Sequence, residues 1–306
     1  MSNCLFCYQP VETESYHPNC SKMFFGVTRI PILELNKEQL NQLAVNTVNE
    51  RVGLTGVQPK ISLSLQEGNK RLTLGGLWNE YILKPQSSEF AFMPEVEDLT
   101  MHLANLFKIE TAKHALIPTT TGELAYITKR FDRSKNKKIH VEDFCQLSEL
   151  LTEQKYKSSY ERAGKIIKKY ATNSGLDVTK YFRLVLFCFL TGNNDMHLKN
   201  FSLIHTDIGV LFSPAYDLLN VNLIYPEDKE DLALTLNGRK RKINRTDFDQ
   251  FAINIRLTTT VRDNIYKDFS KQFKQAYQWI DSSFLTDEYK ERYVQILDEK
   301  RKQISL

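Results

Sequence analysis

No long hydrophobic run occurs in this chain of 306 residues. The most apolar stretch, Leu184-Val-Leu-Phe-Cys-Phe-Leu190, falls far short of the ~20 residues that a membrane-spanning helix needs, so no membrane association is expected. The N-terminus, MSNCLFCYQP, lacks a basic segment followed by an apolar one, and no export signal is read there. Cysteine is scarce and odd in number: there are five, with Cys145 and Cys188 alone in apolar surroundings. That argues against a disulfide framework and for a reducing, cytoplasmic setting. A surplus of one charge is missing too. The 41 basic and 37 acidic residues leave a net charge of +4, which does not point to direct nucleic-acid binding. No internal repeat at a period of roughly 20–50 residues is present.

What is present is a large core. Apolar residues make up 42% of the chain, with 14 Tyr and 18 Phe, enough for one two-lobed domain or two ordinary ones. Residues 1–25 form a short Cys/His module. Residues 36–50 read as a helix, 59–66 and 79–84 as strands about a turn at Gly75 and Gly76, and 124–131 as another strand. Within 94–107, Val96, Leu99, Met101, Leu103 and Leu106 recur near helical spacing, and Pro94 suits a first turn. Residues 134–142 are polar and basic, as in a surface loop. From Phe144 to Leu190 the pattern is helical, 191–220 mixes loop with short strands, and 246–304 is helical again. The expected fold is α+β and bilobal, like a protein kinase. Its domains are the module at 1–25, a strand-rich lobe at 26–133 and a helical lobe at 134–306.

The most informative stretch is Asp195-Met-His-Leu-Lys-Asn200, followed by Ala215-Tyr-Asp217. Phosphoryl transfer needs a carboxylate to orient the attacking hydroxyl and oxygen ligands for a magnesium ion bridging the phosphates. Asp195 suits the first role; Asn200 and Asp217 suit the second, the later acid arriving 22 residues on through a hairpin-like return. Turn chemistry explains any one of these residues, but three metal-competent groups at this spacing are hard to obtain from turns alone. Lys84, ending Tyr81-Ile-Leu-Lys84, can reach phosphates from a rigid strand, although exposed strand lysines are common. Glu95 and Glu97 open the next helix, and either can pair with Lys84 or simply favour a helix start. Gly53 and Gly56, in GLTGVQPK, permit close backbone approach to phosphate, or a plain turn. No G-K-[ST] follows, so this is not a Walker A loop. Cys4-x2-Cys7 and His17-x2-Cys20 offer four candidate zinc ligands; the other reading is reduced cysteines packed beside Phe6 and Tyr8.

These motifs together resemble the HipA family of bacterial toxin–antitoxin kinases. The resemblance rests on GVQPKISL at 56–63, YILKP at 81–85, PEVE at 94–97, KRFDR at 129–133, DFCQL at 143–147, DMHLKNFSL at 195–203 and SPAYDLLN at 213–220. It implies a serine/threonine protein kinase using ATP and Mg2+. Leu54, Thr55, Gly56, Val57 and Gln58 would cover the phosphates, and Lys84 would contact them. Lys129, Arg130 and Phe131 would form a hinge reading adenine through main-chain atoms, although the family usually has an acid where Lys129 stands. Asp195, Asn200 and Asp217 would carry catalysis and metal binding, with Lys199 and Tyr216 at the nucleotide; His197 would contact it or brace the loop. The implied substrate is an aminoacyl-tRNA synthetase, and the implied partner a DNA-binding antitoxin.

Only ~50 residues precede the loop, against about a hundred more in full-length HipA proteins, so the chain is similar to the shorter HipT-type branch, in which a small HipS-like protein supplies the missing subdomain. The family's inhibitory loop serine corresponds to Gly53, which leaves Thr55, matching the second HipT-type serine, as the expected autophosphorylation site. A small-molecule phosphotransferase and a non-catalytic pseudokinase or zinc-binding regulator are the competing readings.

Overall fold

The computed structural model describes residues 2–12, 15–33, 35, 39, 59–66, 68, 70–75, 79–134 and 137–306. The expected helix at 36–50, but for Gln39, and the loop residues Gly53 to Gln58, Thr55 included, lie outside the described residues. No helix among those described is long and apolar enough to cross a membrane. The chain divides into two compact units. The first comprises Met1–Leu99, Ala112–Lys137 and Ser282–Leu285; the second comprises Thr100–Thr111, Lys138–Asp281 and Thr286–Leu306.

The first unit is built on a six-stranded sheet. Its strands are β3 (Ile32–Leu33), β4 (Ile61–Leu65), β5 (Arg71–Leu74), β6 (Tyr81–Lys84), β7 (His114–Pro118) and β8 (Leu124–Lys129), in the order β3-β5-β4-β6-β8-β7. Only β3 pairs parallel to its neighbour. The period-two pattern does what alternation predicts: Ile61 and Leu63 of β4 and Tyr81 and Leu83 of β6 are buried on one face, while Ser62, Ser64 and Ile82 are half-buried. The N-terminal module packs into the same core. Its elements are β1 (Ser2–Asn3), β2 (Pro10–Val11) and α1 (Pro18–Phe25), and Cys4, Tyr16, Cys20, Phe24 and Phe25 share one cluster with Tyr81, Leu83 and Leu116. Helix α2 (Met93–Leu106) starts in this unit, and every residue from Met93 to Met101 is buried.

The second unit is mostly helical. The polar stretch 134–142, expected as a surface loop, instead holds the short strand β10 (Lys137–Lys138), paired with β9 (Arg133–Ser134), and the start of strand β11 (Val141–Asp143), which pairs with β12 (Ser202–Thr206); β12 in turn pairs with β13 (Gly209–Phe212). Its charged composition hid the strand, because an edge strand tolerates polar side chains on its open side. The helices are α3 (Phe144–Leu147), α4 (Tyr160–Tyr170), α5 (Ser174–Leu190), α6 (Val221–Ile224), α7 (Arg245–Asn254), α8 (Thr259–Asp281) and α9 (Asp287–Gln303). The apolar run at 184–190 belongs to α5, which is buried on all sides at its C-terminal half, as a central helix must be. Around it Tyr181 meets Phe201, Phe212 and Phe251 edge-on, ring centroids 5.2–6.0 Å apart. Such pairs each contribute about 0.5–1.5 kcal/mol beyond burial. This packing joins α5 to both ends of the β12–β13 hairpin, which is flanked by the Asp195–Asn200 and Ala215–Asp217 segments.

Candidate active site

In the first unit, Lys84 ends β6 opposite Tyr126 of β8, and its ammonium lies 5.4 Å from that ring's centroid. The ammonium donates to Glu97 Oε1 at 2.5 Å, and both side chains are almost wholly buried, 5% and 2% exposed. The helix thereby chooses between the two candidate acids. Residues two apart on a helix project in nearly opposite directions; Glu97 reaches Lys84, while Glu95 Oε2 is buried with no hydrogen-bond partner among the described residues. Burial pushes the Glu95 carboxyl up to about 7. The next residue, Asp98, accepts from the Tyr8 hydroxyl at 2.8 Å and pairs with His114 Nδ1 at 2.6 Å. In the expected hinge, the amides of Lys129 and Arg130 already donate to the Lys113 and Glu80 carbonyls. The Arg130 guanidinium binds Asp132 through two nitrogens, at 2.9 and 2.7 Å, and Arg133 binds it at 2.5 Å. Burial opposes ionisation there, but the two guanidiniums hold the Asp132 carboxyl below its usual range.

The second unit contains the candidate catalytic-loop residues. After α5 the chain turns at Gly192 (φ +63°) into Asn193-Asn194-Asp195. The Asp195 amide donates to Asn193 Oδ1, and the Asn194 side chain donates to the Glu230 carbonyl. The Asp195 carbonyl accepts from the His197 amide at 2.9 Å and from Asn200 Nδ2 at 3.1 Å. The Asn200 side chain engages its NH2 end in this way, so its oxygen is the atom left to offer a cation. The Asp195 carboxylate accepts a short hydrogen bond from the Tyr156 hydroxyl. Burial, with the Asp195 charge beside it, raises the Tyr156 phenol well above its ordinary value, which keeps it a donor. His197 is buried, its ring edge-on to Tyr156 at 4.9 Å, a bracing position.

The hairpin returns the chain to this loop. Leu203 pairs with Phe212, and the Ser213 amide donates to the Ser202 carbonyl. Tyr216, half-buried, then binds Ser202 Oγ at 2.5 Å and donates to the Lys199 carbonyl at 3.1 Å. This ties the residue before Asp217 to the residue before Asn200. Asp217 itself has φ +60°, a left-handed conformation that a non-glycine residue adopts at a cost of about 1–3 kcal/mol. Lys199 is paired at 2.9 Å with Asp143, which also caps α3 through the Gln146 amide. Tyr156 escaped the sequence reading, and Asp143 entered it only as the first residue of DFCQL, with no role given; each reaches the loop only through tertiary packing.

At the N-terminus, ligand atoms of Cys4, Cys7, His17 and Cys20 all lie within 4.8 Å of one another.

The sequence pattern of the HipA-like C-terminal domain matches residues 52–277. The chain is 33% identical over 246 residues to "Putative kinase Y4dM" of Sinorhizobium fredii, covering 74% of this chain and 59% of that protein. It is 26% identical over 210 residues to the serine/threonine-protein kinase toxin HipA of Shewanella oneidensis, covering 61% of this chain and 47% of that one. The chain thus spans about half to three fifths of the length of these relatives. Among solved structures, the Shewanella oneidensis HipA–HipB–operator DNA complex aligns with a TM-score of 0.69 at 22% identity, over 82% of this chain and 65% of that one. The Helicobacter pylori proinflammatory kinase CtkA aligns with a TM-score of 0.55 at 16% identity, over 83% and 92%. The fold is therefore the bilobal, kinase-like α+β fold that the motifs implied.

Proposed function

The chain belongs to the HipA-like C-terminal domain family, and on that footing we propose that it is an ATP- and Mg2+-dependent serine/threonine protein kinase of the toxin–antitoxin type. The observation that carries this reading is the buried Lys84–Glu97 pair, a strand lysine held by a helix glutamate, which is a working part of protein kinases and has no use in a mere turn or cap. Asp195, held by Tyr156, takes the proton of the acceptor hydroxyl as its oxygen attacks the γ-phosphorus. The bond to the β-phosphate oxygen breaks and ADP leaves. Lys84 holds the phosphates with a fixed positive charge. Asn200 and Asp217 offer the hard oxygen donors that Mg2+ prefers, and the ion would neutralise phosphate charge there. Asn200 is buried and tied to the Asp195 carbonyl, and Asp217, half-buried, follows a tyrosine tied to the Lys199 carbonyl, a setting that fits that demand.

The same reading extends to substrate and control. The substrate is an aminoacyl-tRNA synthetase whose phosphorylation stops translation, and the partners are a DNA-binding antitoxin and, as in the HipT-type branch, a small companion protein. Thr55 is the autophosphorylation site: a phosphate adds about −1.5 to −2 charge where the ATP phosphates bind, and repulsion lowers activity. The decisive experiment compares phosphoproteomes of cells expressing the wild type and Asp195→Asn. One synthetase site and Thr55, phosphorylated only with the wild type, are expected. Phosphate appearing only on small molecules would replace the protein-kinase reading, and no transfer by pure, folded wild type would refute it.

A further inference from the structure

The geometry points to a structural zinc site formed by Cys4, Cys7, His17 and Cys20, which staples the N-terminal module onto the sheet that carries Lys84.

Three features of the cluster ask for a cation. The first is its size. Bond lengths of about 2.3 Å to sulfur and about 2.05 Å to nitrogen, at tetrahedral angles, require sulfur–nitrogen edges of about 3.5 Å and sulfur–sulfur edges of about 3.8 Å. Cys7 Sγ lies 3.4 Å and Cys20 Sγ 3.8 Å from His17 Nδ1, and no pair of ligand atoms exceeds 4.8 Å. The second feature is the histidine's orientation. Its Nε2 lies 3.0 Å from the Pro10 carbonyl, which can only accept, so Nε2 carries the proton and Nδ1 presents its lone pair to the sulfurs. One lone pair can accept from one thiol, yet two sulfurs converge on it. A metal ion at the centre satisfies all of them together. The third feature is the support given to Cys4. It is fully buried, and the His17 amide points at its sulfur at 3.4 Å, an arrangement that favours a thiolate.

The local backbone is shaped for this arrangement. The Cys4 amide donates to the Gln9 carbonyl and the Tyr8 amide to the Cys4 carbonyl, closing a tight turn around Cys4-x2-Cys7. Tyr8, just after the second cysteine, takes φ +60° to complete it. The other two ligands come from the start of α1: His17 caps it and Cys20 lies in its first turn. Four protein ligands close the coordination sphere, which marks a structural rather than a catalytic ion. So short a module cannot bury enough surface to hold its own fold, and metal ligation is the usual remedy at this size. Cys4 and Cys20 lie in the same apolar cluster as Tyr81 and Leu83 of β6, so the ion fixes the module against the strand that ends in Lys84.

The test is metal analysis of untagged full-length protein. We expect close to one zinc per chain after dialysis, and none or little in Cys20→Ser. Because that variant can lose its fold for other reasons, the wild type is also prepared with cobalt(II). Ligand-field bands of a tetrahedral site, together with thiolate-to-cobalt charge-transfer bands, are expected. Zinc removal by a strong chelator should lower the melting temperature, and added zinc should restore it. Metal-free wild type melting at the same temperature with and without zinc would overturn the proposal. Equimolar iron without zinc would overturn the identity of the ion. None of these readouts depends on phosphotransfer, so the site stands or falls apart from the kinase assignment.

Discussion

At the residue scale, the roles of individual side chains follow from what holds them. Asp195 is fixed by Tyr156 on its carboxylate and by His197 and Asn200 on its carbonyl. Asp195→Asn should keep the fold and lower turnover roughly 10²–10⁴-fold, the usual worth of a positioned general base. Tyr156→Phe should lower kcat about tenfold or more, since a hydrogen bond to a charged group is worth about 1.5–3 kcal/mol, with KM for ATP little changed. Steady-state kinetics on both variants check this, and an unchanged Tyr156→Phe would remove the phenol from the mechanism. Glu95 yields a pH prediction. Its carboxyl titrates near 4.5 in the unfolded chain and at about 7 when folded, raised by burial. The folded state therefore binds more protons between those values, and this residue's contribution to stability falls as pH rises from about 4.5 to about 7. Glu95→Gln should remove that loss. Relative to the wild type, the variant should gain stability steadily across this range and level off above it, as read by chemical denaturation at a series of pH values. A parallel displacement at every pH would contradict the assignment.

Single elements carry the site by their ends and their turns. Helix α2 presents Glu97 to Lys84 and, one residue on, Asp98 to Tyr8 of the N-terminal turn. Tyr8→Phe deletes that hydrogen bond while leaving all four cysteine and histidine ligands in place. It should retain zinc, lose about 1.5–3 kcal/mol of stability and lower kcat through a less firmly held Glu97. Loss of zinc along with activity would instead make the tyrosine part of the metal turn. At the end of α5, Gly192 stands at φ +63°, and a Cβ there would meet Asn220 Oδ1 and Asn222 Oδ1 at 2.9 Å. Gly192→Ala should therefore cost about 1–3 kcal/mol from backbone strain alone and displace the turn that leads into Asp195. A melting curve and a turnover assay on the same preparation should both fall; an alanine variant with wild-type stability would show that the turn yields freely.

For the molecule as a whole, nucleotide binding and chemistry are separable readouts. A ligand that binds only the folded state stabilises it by about 2.7 kcal/mol at a hundredfold excess over its Kd. ATP with Mg2+ should thus raise the melting temperature of the wild type and of Asp195→Asn alike, the latter binding without transferring. Asp217→Asn, which loses a metal-competent carboxylate, should give a much smaller shift, and the shift should shrink when Mg2+ is chelated. A magnesium-independent shift in every variant would remove Asp217 from the metal site.

The local order of the chain determined a good deal by itself. Asp195, Asn200 and Asp217 stand on either side of the β12–β13 hairpin, which bonds Tyr216, just before Asp217, to the carbonyl of Lys199, just before Asn200, and β4, β6, α2 and β8 follow from periodicities of two and 3.6 that depend only on which faces must leave water. The Cys/His spacing likewise singled out four side chains that the fold gathers within 4.8 Å of one another. Tertiary structure decided what periodicity cannot express. It selected Glu97 over Glu95, because both suit a helix start and only packing against β6 tells them apart. It brought Tyr156 to Asp195 from 39 residues away and drew Asp143 to Lys199 from 56, and it made a strand of the charged residues beside that aspartate. It also turned His17 Nδ1 towards two sulfurs by giving Nε2 a carbonyl to hold. Each of these depends on which buried polar atoms meet once the core has closed, and that is a property of the folded chain rather than of any segment within it.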